Sequence, residues 1–104
     1  MFDVSTKYEK YRDCIISQAK YANNGHIALE IWNEEGPITN LTVNLAETRN
    51  YPENYGFVDT NNFPEAVELI ERLGIGTHVG YGNSGFCTYP LYAFDVDAIN
   101  TYSE

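Results

Sequence analysis

A regular alternation of apolar and polar side chains constrains the fold of this chain more than any other feature. The apolar positions fall in two runs, which are Ile27, Leu29 and Ile31 and then Leu41, Val43 and Leu45. This period is typical of β-strands with one buried face. Residues 12–21 show a weaker version of the pattern, and turn-forming Asn, Gly and Pro residues separate the three segments. The sequence therefore predicts a three-stranded antiparallel meander over residues 12–45.

One amphipathic helix is predicted over residues 62–73. Asn62 is a candidate N-cap, Glu65 follows three residues later as in a capping box, and Gly74 supplies a left-handed stop. The apolar side chains at helical spacing are Phe63, Ala66, Val67, Ile70 and Leu73. A helix this short needs that stripe packed on a sheet, because isolated short helices are marginal in water.

The remaining segments are less regular. Residues 1–11 fit either a short helix or an arm, and the glycines of residues 74–85 predict an irregular stretch. Residues 86–94 predict a last strand, which Pro90 would confine to a sheet edge or a bulge, and Asp95 would cap a second short helix. We expect a single α+β domain over residues 1–104, with an antiparallel sheet of about four to five strands and one or two short helices on one face.

The charge is strongly negative. Fifteen acidic residues against six Lys and Arg give a net charge of −9, and no Lys or Arg follows Arg72. Such a field repels nucleic-acid phosphates and anionic lipid and attracts basic surfaces. We therefore expect no direct binding to nucleic acid and no membrane association. Solubility alone is an equally good explanation of the acidity. The N-terminus has no apolar run typical of a signal peptide, so we expect a cytoplasmic protein.

Three patterns could indicate catalysis or ligation, and each has a simpler explanation. The run from Gly80 to Gly85 matches G-x-G-x-x-G, but a strand-like segment follows it where a dinucleotide site requires a helix. Cys87 with His78 could act as nucleophile and base, but acidic surroundings disfavour a thiolate. Free buried thiols are the simpler state for Cys14 and Cys87. His26 and His78 lack the spacing of metal ligands. No catalytic residue, metal or cofactor is predicted.

The predicted partner contacts are carboxylates and tyrosines. Glu65, Glu68 and Glu71 recur every three residues on the predicted helix and span about 9 Å. A solvated helix face is the ordinary explanation, and the alternative is a row of charges presented to a basic groove. Asp59, Asp95 and Asp97 would extend the row. Tyr55 and Tyr81 are candidate anchors among nine tyrosines, because tyrosine combines a buried ring with a wet hydroxyl.

Four segments resemble a small bacterial family of domains of unknown function. They are Tyr21–Gly25, Leu41–Leu45, Phe57–Asn62 and Ser84–Pro90. The likeness runs from about residue 12 to about residue 95, and residues 1–11 depart from it. Members of the family resembled are carried on plasmids, conjugative elements and phages of Gram-positive bacteria, and the family has no agreed catalytic residues to transfer.

The resemblance implies a setting on mobile elements in a bacterial host. Small acidic proteins in that setting often block the nucleic-acid channel of a host nuclease, as anti-CRISPR proteins against Cas9 do. The partner expected is then a protein with a basic surface, such as Cas9 or its guide-RNA complex. The alternative is an accessory protein of the element, binding a relaxase, replication protein or regulator. A third possibility is an enzyme that uses Cys87 with His78.

Overall fold

The computed structural model describes residues 1–103 and arranges them as eight strands, two α-helices and one 3₁₀ helix. The strands are β1 (Phe2–Ser5), β2 (Lys10–Lys20), β3 (Ile27–Asn33), β4 (Gly36–Asn40), β5 (Thr42–Val43), β6 (Tyr55–Val58), β7 (Gly76–Ser84) and β8 (Cys87–Phe94). The helices are α1 (Ala66–Leu73) and α2 (Val96–Tyr102), and the 3₁₀ helix is Ala46–Asn50.

The strands form two antiparallel sheets, with strand orders β1-β2-β3-β4 and β5-β6-β8-β7. The predicted α+β class is confirmed. Within residues 1–103 the sheets hold eight strands, where the sequence predicts four or five in one sheet. The additional strands come from the N-terminus, from the glycine-rich segment and from a division of the third predicted strand.

That division occurs at Leu41, where the chain passes from the first sheet to the second. β4 pairs with β3, whereas β5 pairs with β6. Leu41 is fully buried at the crossing. Its N–H donates to the backbone oxygen of Leu29 at 2.9 Å, and its own backbone oxygen accepts from the N–H of Asp59 at 3.0 Å. The backbone of Leu41 therefore joins the two sheets, and the meander of β2, β3 and β4 lies where the sequence predicts it.

The N-terminus is a strand, and neither a helix nor a loose arm. Phe2 and Val4 are buried while Asp3 is exposed, which is the alternation of a strand with one apolar face. β1 pairs with β2, and the Arg72 guanidinium donates to the backbone oxygen of Asp3 at 2.6 Å. The sequence did not predict this strand, because its alternation is short and charged residues surround it.

Helix α1 begins four residues later than predicted. Asn62 does not cap it, because the N–H and Nδ2 of Asn62 donate to the Asp59 carboxylate instead. Glu65 occupies the N-cap position without a side-chain hydrogen bond. The predicted stop is present, since Gly74 adopts a left-handed conformation with φ of 67°.

The glycine-rich segment is also ordered, which corrects the predicted irregular stretch. It forms β7, a nine-residue strand that pairs with β8 through a two-residue turn at Gly85 and Phe86. β8 lies between β6 and β7, so the predicted edge position is wrong for this strand. Pro90 is tolerated because pairing with β6 stops at Leu91, where no neighbour requires the missing N–H.

The central strands of the second sheet, β6 and β8, have buried side chains on both faces. One face joins the first sheet and both helices in the main core, to which Val58, Ile70 and Tyr92 contribute. The other face forms a smaller cluster of Leu45, Phe57, Tyr89 and Leu91 next to the 3₁₀ helix. Residues 55–58 therefore form a continuous apolar run without alternation, because a strand buried on both faces has no polar side.

Candidate partner-binding site

The structure distributes the eight predicted contact residues over different environments. Glu68, Glu71, Asp95, Asp97 and Tyr81 are exposed, Glu65 and Tyr55 are half-buried, and Asp59 is buried. Burial and local contacts therefore decide which of them are available to a partner.

Asp59 is a structural residue, which corrects its predicted role as a partner contact. Its side chain is only 3% exposed. Its carboxylate accepts from the N–H of Asn62 at 3.3 Å and from Asn62 Nδ2 at 3.1 Å. These bonds shape the turn that leads into α1, and they leave the charge no access to a partner surface.

Tyr55 belongs to the smaller cluster on the far face of the second sheet. Its ring stacks on Tyr51 with centroids 6.1 Å apart, and Tyr51 in turn meets the edge of Phe57. The half-buried Tyr55 therefore lies on the face of the sheet opposite to α1.

Helix α1 presents two exposed carboxylates, Glu68 and Glu71, that lie on one side because residues three apart are neighbours on a helix. Glu68 lies 3.9 Å from the Arg72 guanidinium. Glu71 accepts a hydrogen bond of 2.8 Å from the hydroxyl of the buried Tyr92. Burial, and then the hydrogen bond and charge of Glu71, raise the pKa of Tyr92 to about 12.

Aromatic contacts continue from Tyr92 to the outer strand. The His78 ring lies 5.4 Å from Tyr92, and the Tyr81 ring meets His78 edge-on at 4.7 Å. Tyr81 is 66% exposed. These side chains form one continuous series of contacts from α1 across β8 to β7. We call the set of Glu68, Glu71, Tyr92, His78 and Tyr81 the acidic–aromatic strip.

Asp95 and Asp97 support α2. The Asp95 carboxylate accepts from the N–H of Ala98 at 3.1 Å, and Asp97 lies in the first helical turn. Carboxylates at this end of a helix are stabilised by its dipole. The N–H of Asp95 donates to the Ile75 oxygen at 2.8 Å, which places Asp95 beside the turn between α1 and β7.

The sequence prediction missed the most distinctive surface, which is the hairpin of β7 and β8. Residues 73–94 contain no Asp, Glu, Lys or Arg, although the whole chain is 20% charged. Three apolar side chains on this hairpin are exposed: Val79 (45%), Tyr81 and the turn residue Phe86, which is fully exposed. A count of charges along the chain would have found this segment. Exposed aromatic residues in an uncharged segment are typical of contact surfaces.

The residues with catalytic potential are not brought together. Cys87 packs with the smaller cluster, whereas His78 lies on the opposite face of the sheet against Tyr92. Cys14 is buried, and burial followed by the charge of Asp3 raises the pKa of its thiol. His26 is buried too, with its ring nitrogens against backbone oxygens at 3.2 and 2.7 Å.

Among residues 1–103, no group of three or more His, Cys, Asp or Glu side chains has the arrangement of a metal site. No helix in the same part of the chain is long and apolar enough to span a bilayer. A depression of about 590 Å³ is open to solvent, and its charged lining residues, Lys20 and Glu53, do not belong to the strip.

The comparisons with known proteins give one match. A family model described as "Domain of unknown function (DUF4313)" matches residues 15–104, which is most of the chain. No curated protein and no solved structure gives a significant match. The matched range begins after the N-terminal segment that departs from the family resemblance.

Proposed function

The chain belongs to the DUF4313 family of domains of unknown function, and we propose that it is a non-catalytic protein that binds a basic partner through the acidic–aromatic strip. The observation that carries the proposal is the unbroken series of contacts from Glu71 through Tyr92 and His78 to the exposed ring of Tyr81. It places exposed carboxylates and an exposed aromatic ring on one supported surface.

The strip suits Lys and Arg side chains. A cation over the face of Tyr81 gains about 0.5–1 kcal/mol at an exposed site. A single exposed ion pair with Glu68 or Glu71 contributes only about 0–1 kcal/mol. Specific binding therefore needs the aromatic anchor together with several charges, and the net charge of −9 speeds the encounter with a basic surface.

The finer proposal is that the partner is a nucleic-acid-handling defence enzyme of a bacterial host, and Cas9 is the leading candidate. Such an enzyme has a positively charged channel for nucleic acid. A small acidic protein competes for that channel, which agrees with the mobile-element setting implied by the family resemblance and with action in the cytoplasm. The second candidate is an accessory protein of a plasmid or conjugative element that binds a relaxase, replication protein or regulator.

A cleavage assay with guide-loaded Cas9 tests the finer proposal. We expect the protein to inhibit cleavage, and the double variant Glu68→Lys/Glu71→Lys to inhibit much less. The matched control is Glu34→Lys/Glu35→Lys, because these carboxylates are exposed in the β3–β4 turn and the change in net charge is the same. Undiminished cleavage at a large molar excess of protein removes Cas9 as the target.

A pull-down from cells that carry the mobile element tests the broader proposal. We expect a basic partner whose retention weakens as salt rises, since salt screens exposed charges. A partner encoded by the same element, with no effect on host nucleases, favours the accessory role. Equal retention of both double variants would contradict binding through the strip.

A further inference from the structure

The sheet edges of the described chain differ in how well they are protected. Natural edge strands are kept from pairing by shortness, charge, proline or a covering group. β5 has two residues, β4 contains Pro37, and the short β1 has the Arg72 guanidinium on the Asp3 oxygen. β7 has nine residues with no proline and no Asp, Glu, Lys or Arg. Its one irregularity is a bulge at Val79, and Glu47 covers the strand only near one end, at the N–H of Asn83.

The register of the hairpin shows which backbone groups of β7 face outward. Ser84 and Cys87 flank the two-residue turn. The residues that flank such a turn form a hydrogen-bonded pair, so the alternation of an antiparallel ladder turns Asn83 and Tyr81 away from β8. The N–H of Asn83 does point outward, since it donates to Glu47 Oε1 at 3.1 Å. Tyr81 lies opposite Pro90 in a non-hydrogen-bonded pair of the same ladder, so its N–H and C=O point away from β8. The backbone of Tyr81 therefore faces the open edge.

We propose that β7 receives an extended basic segment of the protein partner as an added strand. This inference rests on the proposed function, because it specifies how the basic partner docks. Backbone groups of β7 provide the hydrogen bonds, and every second side chain of the added strand lies on the face of Tyr81 and His78.

Charge complementarity selects this occupant. The strand itself has no charge to repel a basic segment. The Glu71 carboxylate lies on the same side as the rings of the strip, and Glu68 is its neighbour on the helix surface. A Lys or Arg on that face meets the ring of Tyr81 within the field of those carboxylates. A second copy of the chain would bring together two molecules of charge −9, and its β7 offers no cation to offset the repulsion.

Amide hydrogen exchange measured by NMR tests the inference on the full chain. The probe is a nine-residue peptide of alternating Thr and Lys, and its control has Glu in place of Lys. We expect the Lys peptide to slow exchange of the Tyr81 N–H, with a smaller change at Asn83 because Glu47 already bonds that amide. The Glu peptide should leave both amides unchanged.

A pair of variants isolates the backbone contribution. Tyr81→Val and Tyr81→Pro both remove the ring and hydroxyl, but only proline removes the N–H. We expect the proline variant to bind the Lys peptide about two- to tenfold more weakly than the valine variant, as the loss of one hydrogen bond predicts. Should the proline variant fail to fold, the exchange of Tyr81 in the unmodified chain still decides the question.

Each remaining outcome overturns a definite part of the reasoning. No peptide binding, binding with unchanged exchange along β7, or equal affinity of the two Tyr81 variants overturns the added strand. Protection of Tyr81 without peptide, rising with protein concentration as the mass doubles, assigns the edge to a second copy instead. If the Lys peptide protects Tyr81 equally in Glu68→Lys/Glu71→Lys, the added strand stands and the proposed role of the acidic–aromatic strip fails.

Discussion

Replacement of Gly82 by alanine tests the packing that holds the β7–β8 hairpin in place. Gly82 is buried beneath Glu47 and Phe57. An added Cβ would lie 2.7 Å from Phe57 Cζ and nearer still to Phe57 Cε1 and Glu47 Oε1. Phe57 is fully buried, so it has no room to move away. The Glu47 carboxylate would also be displaced from its hydrogen bond with Asn83.

The expected cost follows from three contributions to the free energy of unfolding. Overpacking a core with one extra methyl group costs about 1–3 kcal/mol. Loss of the Glu47–Asn83 hydrogen bond adds about 0.5–1.5 kcal/mol. The lower entropy of the unfolded chain offsets about 0.4–1 kcal/mol. These contributions together run from about 0.5 to about 4 kcal/mol, so we expect Gly82→Ala to destabilise the protein by about 2 kcal/mol.

Gly80→Ala is the matched control on the same strand. The nearest atom to a Cβ at Gly80 is Leu91 Cδ2 at 3.9 Å, and neither glycine has a positive φ. Only the entropy of the unfolded chain changes there, so Gly80→Ala should be neutral or stabilising by up to about 1 kcal/mol.

Urea unfolding followed by the fluorescence of the single Trp32 measures both variants. With a slope of about 1.5 kcal/mol per molar, a loss of about 2 kcal/mol in Gly82→Ala should lower the midpoint by about 1.3 M. A midpoint at or above that of the unmodified protein would refute the reasoning, and so would equal midpoints for the two alanine variants.

Three further outcomes are expected. Asp95→Ala should cost about 1 kcal/mol in thermal unfolding, because the carboxylate caps the N–H of Ala98, whereas Asp95→Asn should keep most of the cap; equal losses would contradict the cap. The pKa of Tyr92 is raised in the folded state from 10.0 to about 12, so its contribution to stability is lost as pH rises between these values. Glu71→Gln should lower this pKa while burial keeps it above the ordinary value, and an unchanged tyrosinate absorbance titration would contradict the contact. Phe86→Ser should change the free energy of unfolding by no more than about 0.5 kcal/mol, because the ring is fully exposed. The same variant should weaken partner binding, and a large loss of stability would show that the ring is structural.

The first-sheet meander could be predicted because its signal is local. Alternation and turn residues fix β2, β3 and β4 without reference to the rest of the chain. The division at Leu41 could not be predicted, because the alternation continues unbroken while the chain changes sheets. Only the long-range bonds of Leu41 to Leu29 and Asp59 distinguish the two halves.

The sequence did not predict β7, because the low strand propensity of glycine disfavours a strand in this segment. Glycines weaken strands on average, but here Gly82 provides the space that Glu47 and Phe57 occupy. This requirement arises from contacts with residues distant in the sequence, so no local sequence pattern indicates it. The burial of Asp59 was not predicted for a similar reason. Aspartate is almost never fully buried without partners, and its partner Asn62 was interpreted as a helix cap.

The proposed strip contains three of the residues that the sequence singled out, but the sequence did not group them with Tyr92 and His78. Helical spacing alone placed Glu68 and Glu71 side by side. Their connection to Tyr81 runs through Tyr92 and His78, two contacts that join α1, β8 and β7 across the fold. Contacts of this kind depend on the packed structure, so sequence spacing does not reveal them.

The separation of charge from apolar contact in this molecule implies separate control of binding rate and binding lifetime. The acids lie outside residues 73–94, and the exposed rings of Tyr81 and Phe86 lie inside them. Exposed charges at the rim of an interface act mainly on association and its salt dependence, whereas contacts that lose their water on binding act mainly on dissociation. In stopped-flow binding, Glu68→Lys/Glu71→Lys should therefore slow association and flatten its salt dependence, while Phe86→Ser should speed dissociation. The opposite assignment would mean that the carboxylates are buried in the complex, and the hairpin would then no longer be the centre of the contact.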